Sequence, residues 1–268
     1  MRYNGFEREH ISSLPSPSLE DLEKYGRYSE IEPIIKCLKN AQEEQLSKYS
    51  HHKSRFVRQE AAKYVSNHNT INTLKQDVNY FVRAEVFRNE YCEISEQDVE
   101  DNKNNELVLA SMAQNIDLSG NVLRKLVECS KELSSFLIRF QLIRYQQYSP
   151  KLVKELKENF EHYGLTLAEV LNKGCPLQRQ LEIANEETEK EVLLTLARVT
   201  PSVEVQEVLL NRKDSDITIA IISENIHGTN DVILNSGVTS PDFEVRTAVA
   251  SNPRFVQRVL DRIDDLEY

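Results

Sequence analysis

Apolar residues in this chain recur at the four-residue step of one helix face, and the pattern itself returns about every 27 residues. Four stretches align without gaps: Val82-Arg-Ala-Glu-Val-Phe-Arg-Asn89, Val108-Leu-Ala-Ser-Met-Ala-Gln-Asn115, Val245-Arg-Thr-Ala-Val-Ala-Ser-Asn252 and, more loosely, Val57-Arg-Gln-Glu-Ala-Ala-Lys-Tyr64. With the leading β-branched residue as anchor, further copies begin at Ile138, Val192 and Ile217, and the spacings run 25, 26, 30, 54, 25 and 28. The gap of 54 has room for one degenerate copy, which makes eight units. Anchor and anchor+4 are apolar in nearly every copy, and in a helix such residues lie one above the other.

Each copy carries its own start signal. Three residues before the anchors stand Ser54, Asn79, Asn105, Ser135, Asp214 and Asp242, whose side-chain oxygens can accept an orphan N–H of the first turn. The asparagines at 89, 115, 225 and 252 close several copies and tolerate the left-handed conformation that ends a helix. A second helix is expected 14 to 15 positions past the anchor, at Ile71, Val122, Val232 and Val259 with neighbours Leu74, Leu123, Ile233 and Leu260. Gly120 and Gly228 fall in equivalent turns, Ser149-Pro150 and Thr200-Pro201 read as capped starts of second helices, and Ser240-Pro241 introduces the last unit. Two short helices cannot bury their apolar faces alone, so the units must stack. The expected fold is all-α: a right-handed α-solenoid of about eight short helix-turn-helix repeats.

Two regions resist the template. Between Tyr145 and Glu191 either Leu165–Asn172 or Leu177–Asn185 could be the missing copy. Residues 1–50 read as an N-terminal helical cap, with a Pro/Ser loop over Ser12–Ser18, a capped helix near Leu19 and helical spacing of Ile31, Ile34, Ile35, Leu38 and Ala41. The repeat domain is then 51–268.

Composition supports the helical reading. The chain has 268 residues and only 7 glycines, against roughly 19 at average usage. That scarcity argues against a Gly-rich nucleotide fold or a turn-rich sandwich. The sequence MRYNGFEREH lacks the apolar core of a signal peptide, and no stretch approaches the roughly 20 apolar residues of a membrane span, so a cytoplasmic protein is expected. Cys37, Cys92, Cys129 and Cys175 lie 37 to 55 residues apart, without metal or CxxC spacing, and read as buried, inert thiols.

The last unit, Asp242 to Ile263, closely resembles the variant leucine-rich repeat, a relative of HEAT and armadillo repeats. Asp214–Asn235 and Asn105–Leu126 resemble it with fewer identities, and the likeness runs in phase over 57–268. The resemblance implies an α-solenoid scaffold that binds other proteins and needs no cofactor. Some members of the variant family have an upstream cysteine cluster for iron and sulfur; this chain has only Cys37 before the repeats. One HEAT-like family is enzymatic, the alkylpurine DNA glycosylases, with a concave basic face, a catalytic acid and aromatic residues around the damaged base. The absence of tryptophan and the net charge of −10 depart from that family.

Charge narrows the partner. A net −10 repels nucleic-acid phosphates at long range and attracts a basic protein. Glu93, Glu96, Asp98, Glu100 and Asp101 form one acidic stretch, and Glu186, Glu187 and Glu189, flanked by Glu182 and Glu191, form a second with only Lys190 among them. Both are candidate partner-binding residues, since a clustered field steers association. Arg58, Arg83, Arg139 and Arg246 each follow an anchor and are expected to form a structural ladder, as in the resembling HEAT repeats, with Asp242 placed four residues before Arg246 as an acid partner. Lys48, His51, His52, Lys53, Arg55, Arg58 and Lys63 cluster where the repeats begin and read as an exposed basic face. His51 and His52 lack a third ligand at zinc spacing, the 93–101 acids lack the central glycine of a calcium loop, and no catalytic constellation stands out. A non-enzymatic scaffold or inhibitor of a basic protein, of the kind a bacterial immunity protein represents, is the expected function.

Overall fold

A computed structural model of the protein describes residues 31–160, 162–227 and 231–257. These residues are helical with short connections, and no strand occurs among them. The expected Ser12–Ser18 loop, the helix near Leu19, Gly228, Val259 and Leu260 lie outside the described residues.

The chain divides into two compact units. The first, Met1–Gln146, holds α1 (Ile31–Leu38), α2 (Glu43–Tyr49), α3 (Arg55–Tyr64), α4 (His68–Lys75), α5 (Tyr80–Arg88), α6 (Glu96–Asp101), α7 (Glu106–Met112), α8 (Gly120–Glu132) and α9 (Phe136–Tyr145). Here α1 packs on α3, α3 on α5, α5 on α7 and α7 on α9, so alternate helices form one layer. The intervening helices cover it: α2 lies on α3, α4 on α5 and α8 on α9.

The second unit, Gln147–Tyr268, holds α10 (Pro150–Lys157), α11 (Tyr163–Leu171), α12 (Leu177–Glu186), α13 (Lys190–Val199), α14 (Val203–Leu210), α15 (Ser215–Ile219) running into a π turn (Ala220–Glu224), α16 (Asp231–Val238) and α17 (Phe243–Ser251). Here α11 packs on α13, α13 on α15 and α15 on α17, while α12 packs on α14. The packing within this unit bears on the open alternative in the 54-residue gap. Leu165 lies on α11, in the layer of α13, whereas Leu177–Asn185 lies on α12 in the other layer. The gap splits into two steps of 27.

The anchor pairs lie in the buried core of each unit. Val57/Ala61, Val82/Val86, Val108/Met112, Ile138/Leu142, Val192/Leu196, Ile217/Ile221 and Val245/Val249 are all at most 2% exposed. Burying one such branched side chain is worth about 1.5–3 kcal/mol, enough in sum to hold helices of only five to ten residues that would not persist alone. Of the second-helix residues, Ile71, Leu74, Val122 and Ile233 are buried.

Five of the six expected caps are made. Asn79, Asn105, Ser135, Asp214 and Asp242 accept from N–H groups of the first turn, but Ser54 does not; its own N–H instead donates to His52 Nδ1 at 3.1 Å. Ser149 caps α10 with Pro150 in its first turn, as expected. Thr200-Pro201 is different: Thr200 ends α13, Ser202 caps α14, and Thr200 Oγ1 donates to Gln180 Oε1 at 2.8 Å. Gly120 is the first residue of α8 behind the Ser119 cap, with no turn conformation to satisfy. Ile31 to Ala41 is not one run, because α1 ends at Leu38 and α2 starts afresh at Glu43.

The closing asparagines are not left-handed. Asn89 has φ −66° and ψ 131°, and Asn225 and Asn252 are similarly extended. Their amides serve as clamps instead. Asn89 Nδ2 donates to the carbonyls of Ala62 and Val65, both at 2.8 Å, at the end of α3. Asn225 does the same to Ala197 (2.5 Å) and Thr200 (2.9 Å), Asn252 reaches Ile222 (2.7 Å), and Asn115 reaches Cys92 (3.1 Å). Gln146 replaces asparagine after α9 and reaches Ala113 and Asn115. Each asparagine also accepts, through Oδ1, from the N–H two residues on. One side chain thus satisfies orphan carbonyls of the preceding layer helix and shapes its own exit turn.

Candidate functional site

The two acidic stretches fare differently once folded. In the first, Asp98 is buried within a capping box: it accepts from the N–H and hydroxyl of Ser95 (2.8 and 2.7 Å) and pairs with Lys75 at 3.1 Å. Glu96 takes Asn121 Nδ2 at 3.0 Å and lies 3.7 Å from Lys125, Glu100 pairs with Lys103 at 2.5 Å, and Asp101 accepts from Gln97. Glu93 stays exposed, but its backbone carbonyl takes the Lys75 ammonium. Most of this stretch is spent on local structure, and Asp98 is removed from any partner.

The second stretch keeps its charge. Glu186 ends α12 and Glu189 precedes α13, and both are exposed together with Glu191. Lys190, the cation among them, is held by Asp216 at 2.5 Å and Asp214 at 3.1 Å. Glu187 is half-buried and its carboxylate accepts from the N–H groups of Thr188 and Glu189, so it builds the turn.

Three of the four arginines share one contact. Arg58 Nη1 donates to the carbonyl of His52 (2.8 Å), Arg83 Nη1 to that of Asp77 (2.7 Å) and Arg246 Nη1 to that of Ser240 (2.7 Å), in each case six residues upstream. Arg58 and Arg83 also reach nineteen residues forward. Arg58 grips Asp77 with two bonds, Nε–Oδ2 2.6 Å and Nη2–Oδ1 3.0 Å, and Arg83 Nε donates to Asn102 Oδ1 at 2.9 Å. The hydrogen bond to Asp77 holds the Arg58 pKa above its usual value. Asp242 does not serve Arg246 as a hydrogen-bond partner: it accepts from Ser215 Oγ and from the N–H of Glu244, while Arg246 donates to Ser240 and Pro241. Arg139 is buried on α9, and burial pushes its pKa down.

The most concentrated chemistry lies at Glu169 in the second unit, a residue the pattern reading passed over. Its carboxylate is fully buried at 0% exposure. Arg179 grips it with Nε–Oε2 2.9 Å and Nη2–Oε1 3.2 Å, Lys157 Nζ bonds to Oε1, and the Tyr148 hydroxyl donates to Oε2 at 3.0 Å. Arg179 also pairs with Glu182 at 3.1 Å, and Lys157 with Thr166 Oγ1 at 3.0 Å. Burial works to raise the Glu169 pKa, but the bonds from Arg179 and Lys157 outweigh it and hold the carboxyl below its usual range. Burial and the Glu169 charge push the Tyr148 hydroxyl up, and the same two causes bring the nearby Cys175 thiol to about 12. The carboxylate is therefore ionised and enclosed, which suits an anchor of α10, α11 and α12 rather than a proton shuttle. A signal was present in the sequence: Glu169 is the anchor+4 residue of the Leu165 copy, where other copies are apolar.

A cavity of about 770 Å³ opens among α14, α15, α16 and α17, lined by Lys213, Ser215, Ile233, Gly237 and Asp242. Among the described residues no group of three or more His, Cys, Asp or Glu is placed to hold a metal ion, and no helix is long and apolar enough to cross a membrane. No family model matches the chain, and neither a curated protein nor a solved structure matches it.

Proposed function

We propose that this chain is a non-enzymatic protein-binding scaffold or inhibitor, built as a right-handed α-solenoid of about eight variant leucine-rich or HEAT-like helix pairs. Support for the repeat architecture comes from the asparagine clamp, which recurs within each unit, and from the arginine contact made alike by Arg58, Arg83 and Arg246. The partner is a basic protein, and an antitoxin-like inhibitor of a basic toxin domain fits this description.

The observation that carries the proposal is the charge left over at the α12–α13 junction. Glu186, Glu189 and Glu191 are exposed there, and Lys190 is already taken by Asp214 and Asp216. A field of this sign accelerates association with a basic surface. Of the two acidic stretches, this is the one that faces a partner with its charge intact.

The test is to retrieve the partner by co-purification at low salt and then measure affinity and association rate across ionic strength. Both should fall by about tenfold between roughly 50 and 500 mM salt, and Glu186→Lys with Glu189→Lys should weaken binding where Asp101→Lys does not. Salt-independent binding removes the electrostatic basis. Release of a base from alkylated DNA by the purified chain overturns the proposal in favour of a glycosylase.

A further inference from the structure

The basic cluster at the start of the repeats has no part in the function proposed above, and folding sorts its members. Arg58 is committed to Asp77, and Lys63 pairs with Glu60 at 2.6 Å. His52 Nδ1 accepts from the N–H of Ser54, and burial together with the charges of Lys53 and Arg58 lowers its pKa. Lys53 and Arg55 are different. Neither side chain meets a carboxylate among the described residues, and Lys53 is exposed.

Arg55 is held by aromatic rings. Its guanidinium lies 4.5 Å from the Phe56 centroid and 4.8 Å from that of Phe81, which joins α3 to α5. Phe81 in turn packs against Tyr80 with centroids 4.3 Å apart. Phe56 and Tyr80 are 47% and 41% exposed, and Val78, in the turn before α5, is 93% exposed. The α3–α5 pair therefore carries a partly exposed aromatic cluster around Arg55, with the exposed Lys53 two residues before it and neither cation paired with a carboxylate among the described residues, on a chain whose net charge is −10.

Arg55 is the first residue of α3, where the helix dipole favours an anion and opposes a cation. The contact with the rings uses none of the five guanidinium N–H donors, so the held group keeps them for bidentate bonding to a carboxylate.

We propose that this surface docks an acidic peptide segment of another protein, one that carries a bulky apolar residue among its carboxylates. The carboxylates meet Arg55 and Lys53, and the apolar side chain covers Phe56, Tyr80 and Val78. A single nucleic-acid strand also stacks on aromatics, but its affinity grows with the number of phosphates neutralised. Two cations on an acidic chain supply little of that, so the peptide is favoured.

The experiment uses the full chain and three fluorescein-labelled probes: a peptide with glutamates on both sides of one phenylalanine, the same peptide with glutamines for glutamates, and an oligothymidylate of equal charge. Anisotropy titrations at low salt should show the acidic peptide binding at least about tenfold more tightly than either other probe, a ratio worth 1.4 kcal/mol. Arg55→Glu should weaken it at least about tenfold, and so should Lys53→Glu, an exposed change that leaves the packing intact. Phe56→Ala should weaken it with the charge unchanged. No binding of the acidic peptide, equal binding of the glutamine peptide, tighter binding of the oligothymidylate, or indifference to Lys53→Glu each overturns the proposal.

Discussion

The side-chain amide of Asn225 donates to the carbonyl oxygen of Thr200 at 2.9 Å, from a position one residue further along its helix than the other clamp asparagines. Asn89, Asn115 and Asn252 stand seven residues after their anchors, whereas Asn225 stands eight after Ile217. In a regular α-helix one extra residue turns the next side chain by about 100°. The π turn Ala220–Glu224 absorbs the insertion and returns Asn225 to the carbonyls of α13. The Asn225 clamp is thus kept despite the added residue.

Deleting the exposed Ser223 should therefore convert the π turn to a regular α-turn and keep the clamp, with stability within about 1 kcal/mol of the parent. Deleting Glu85 from α5 should turn Asn89 away from Ala62 and Val65 and cost at least about 2 kcal/mol, the penalty for buried polar groups left unpaired. Urea unfolding of the two deletion variants tests the contrast.

Asn89→Ala removes both bonds to α3 and leaves two carbonyls without their donor, at a cost of about 2 kcal/mol. Asn89→Asp should be worse, because a carboxylate cannot donate and would face two carbonyl oxygens. Equal unfolding midpoints for the two variants would show that the donor role is not what matters.

Glu169→Ala strips the partner from Arg179 and Lys157 and should cost about 3 kcal/mol at neutral pH, as for a broken buried pair. The pH dependence has a definite sign. The Glu169 carboxyl titrates below its ordinary 4.5 when folded, so as pH falls the unfolded chain takes up that proton first. Its stabilisation is complete above about pH 4.5 and is lost as pH drops below that value. Glu169→Gln should be less stable at neutral pH but have a shallower acid limb, which denaturant titrations at several pH values will show. Asp77 and Asp214, also held low, preserve part of that limb.

Gly237 and Gly120, both helical, predict opposite outcomes. A Cβ at Gly237 would stand 2.5 Å from Val249 Cγ2 and 3.1 Å from Ile222 Cδ1, where α16 meets α17. Gly237→Ala should cost about 1–3 kcal/mol, and Val249→Ala should recover part of it in the double variant. A Cβ at Gly120 meets nothing within 4 Å, so Gly120→Ala should stabilise α8 by up to about 1 kcal/mol. Thermal unfolding separates the two.

Helix identity and most of the caps were legible in the sequence, because they depend on neighbours within four residues: an apolar pair at anchor and anchor+4, a side-chain oxygen three residues upstream. Those signals are local, and Val82/Val86 with Asn79 states them completely. Tertiary structure alone decided what crosses between helices. The closing asparagine reads locally as a left-handed stop, yet its amide is claimed by carbonyls some 23 to 30 residues away, which no short window contains. It also told the two acidic stretches apart, since a carboxylate's availability depends on which cation folding delivers: Lys75 reaches Asp98, while Lys190 turns to Asp214 and Asp216 and leaves Glu186 and Glu189 to the solvent.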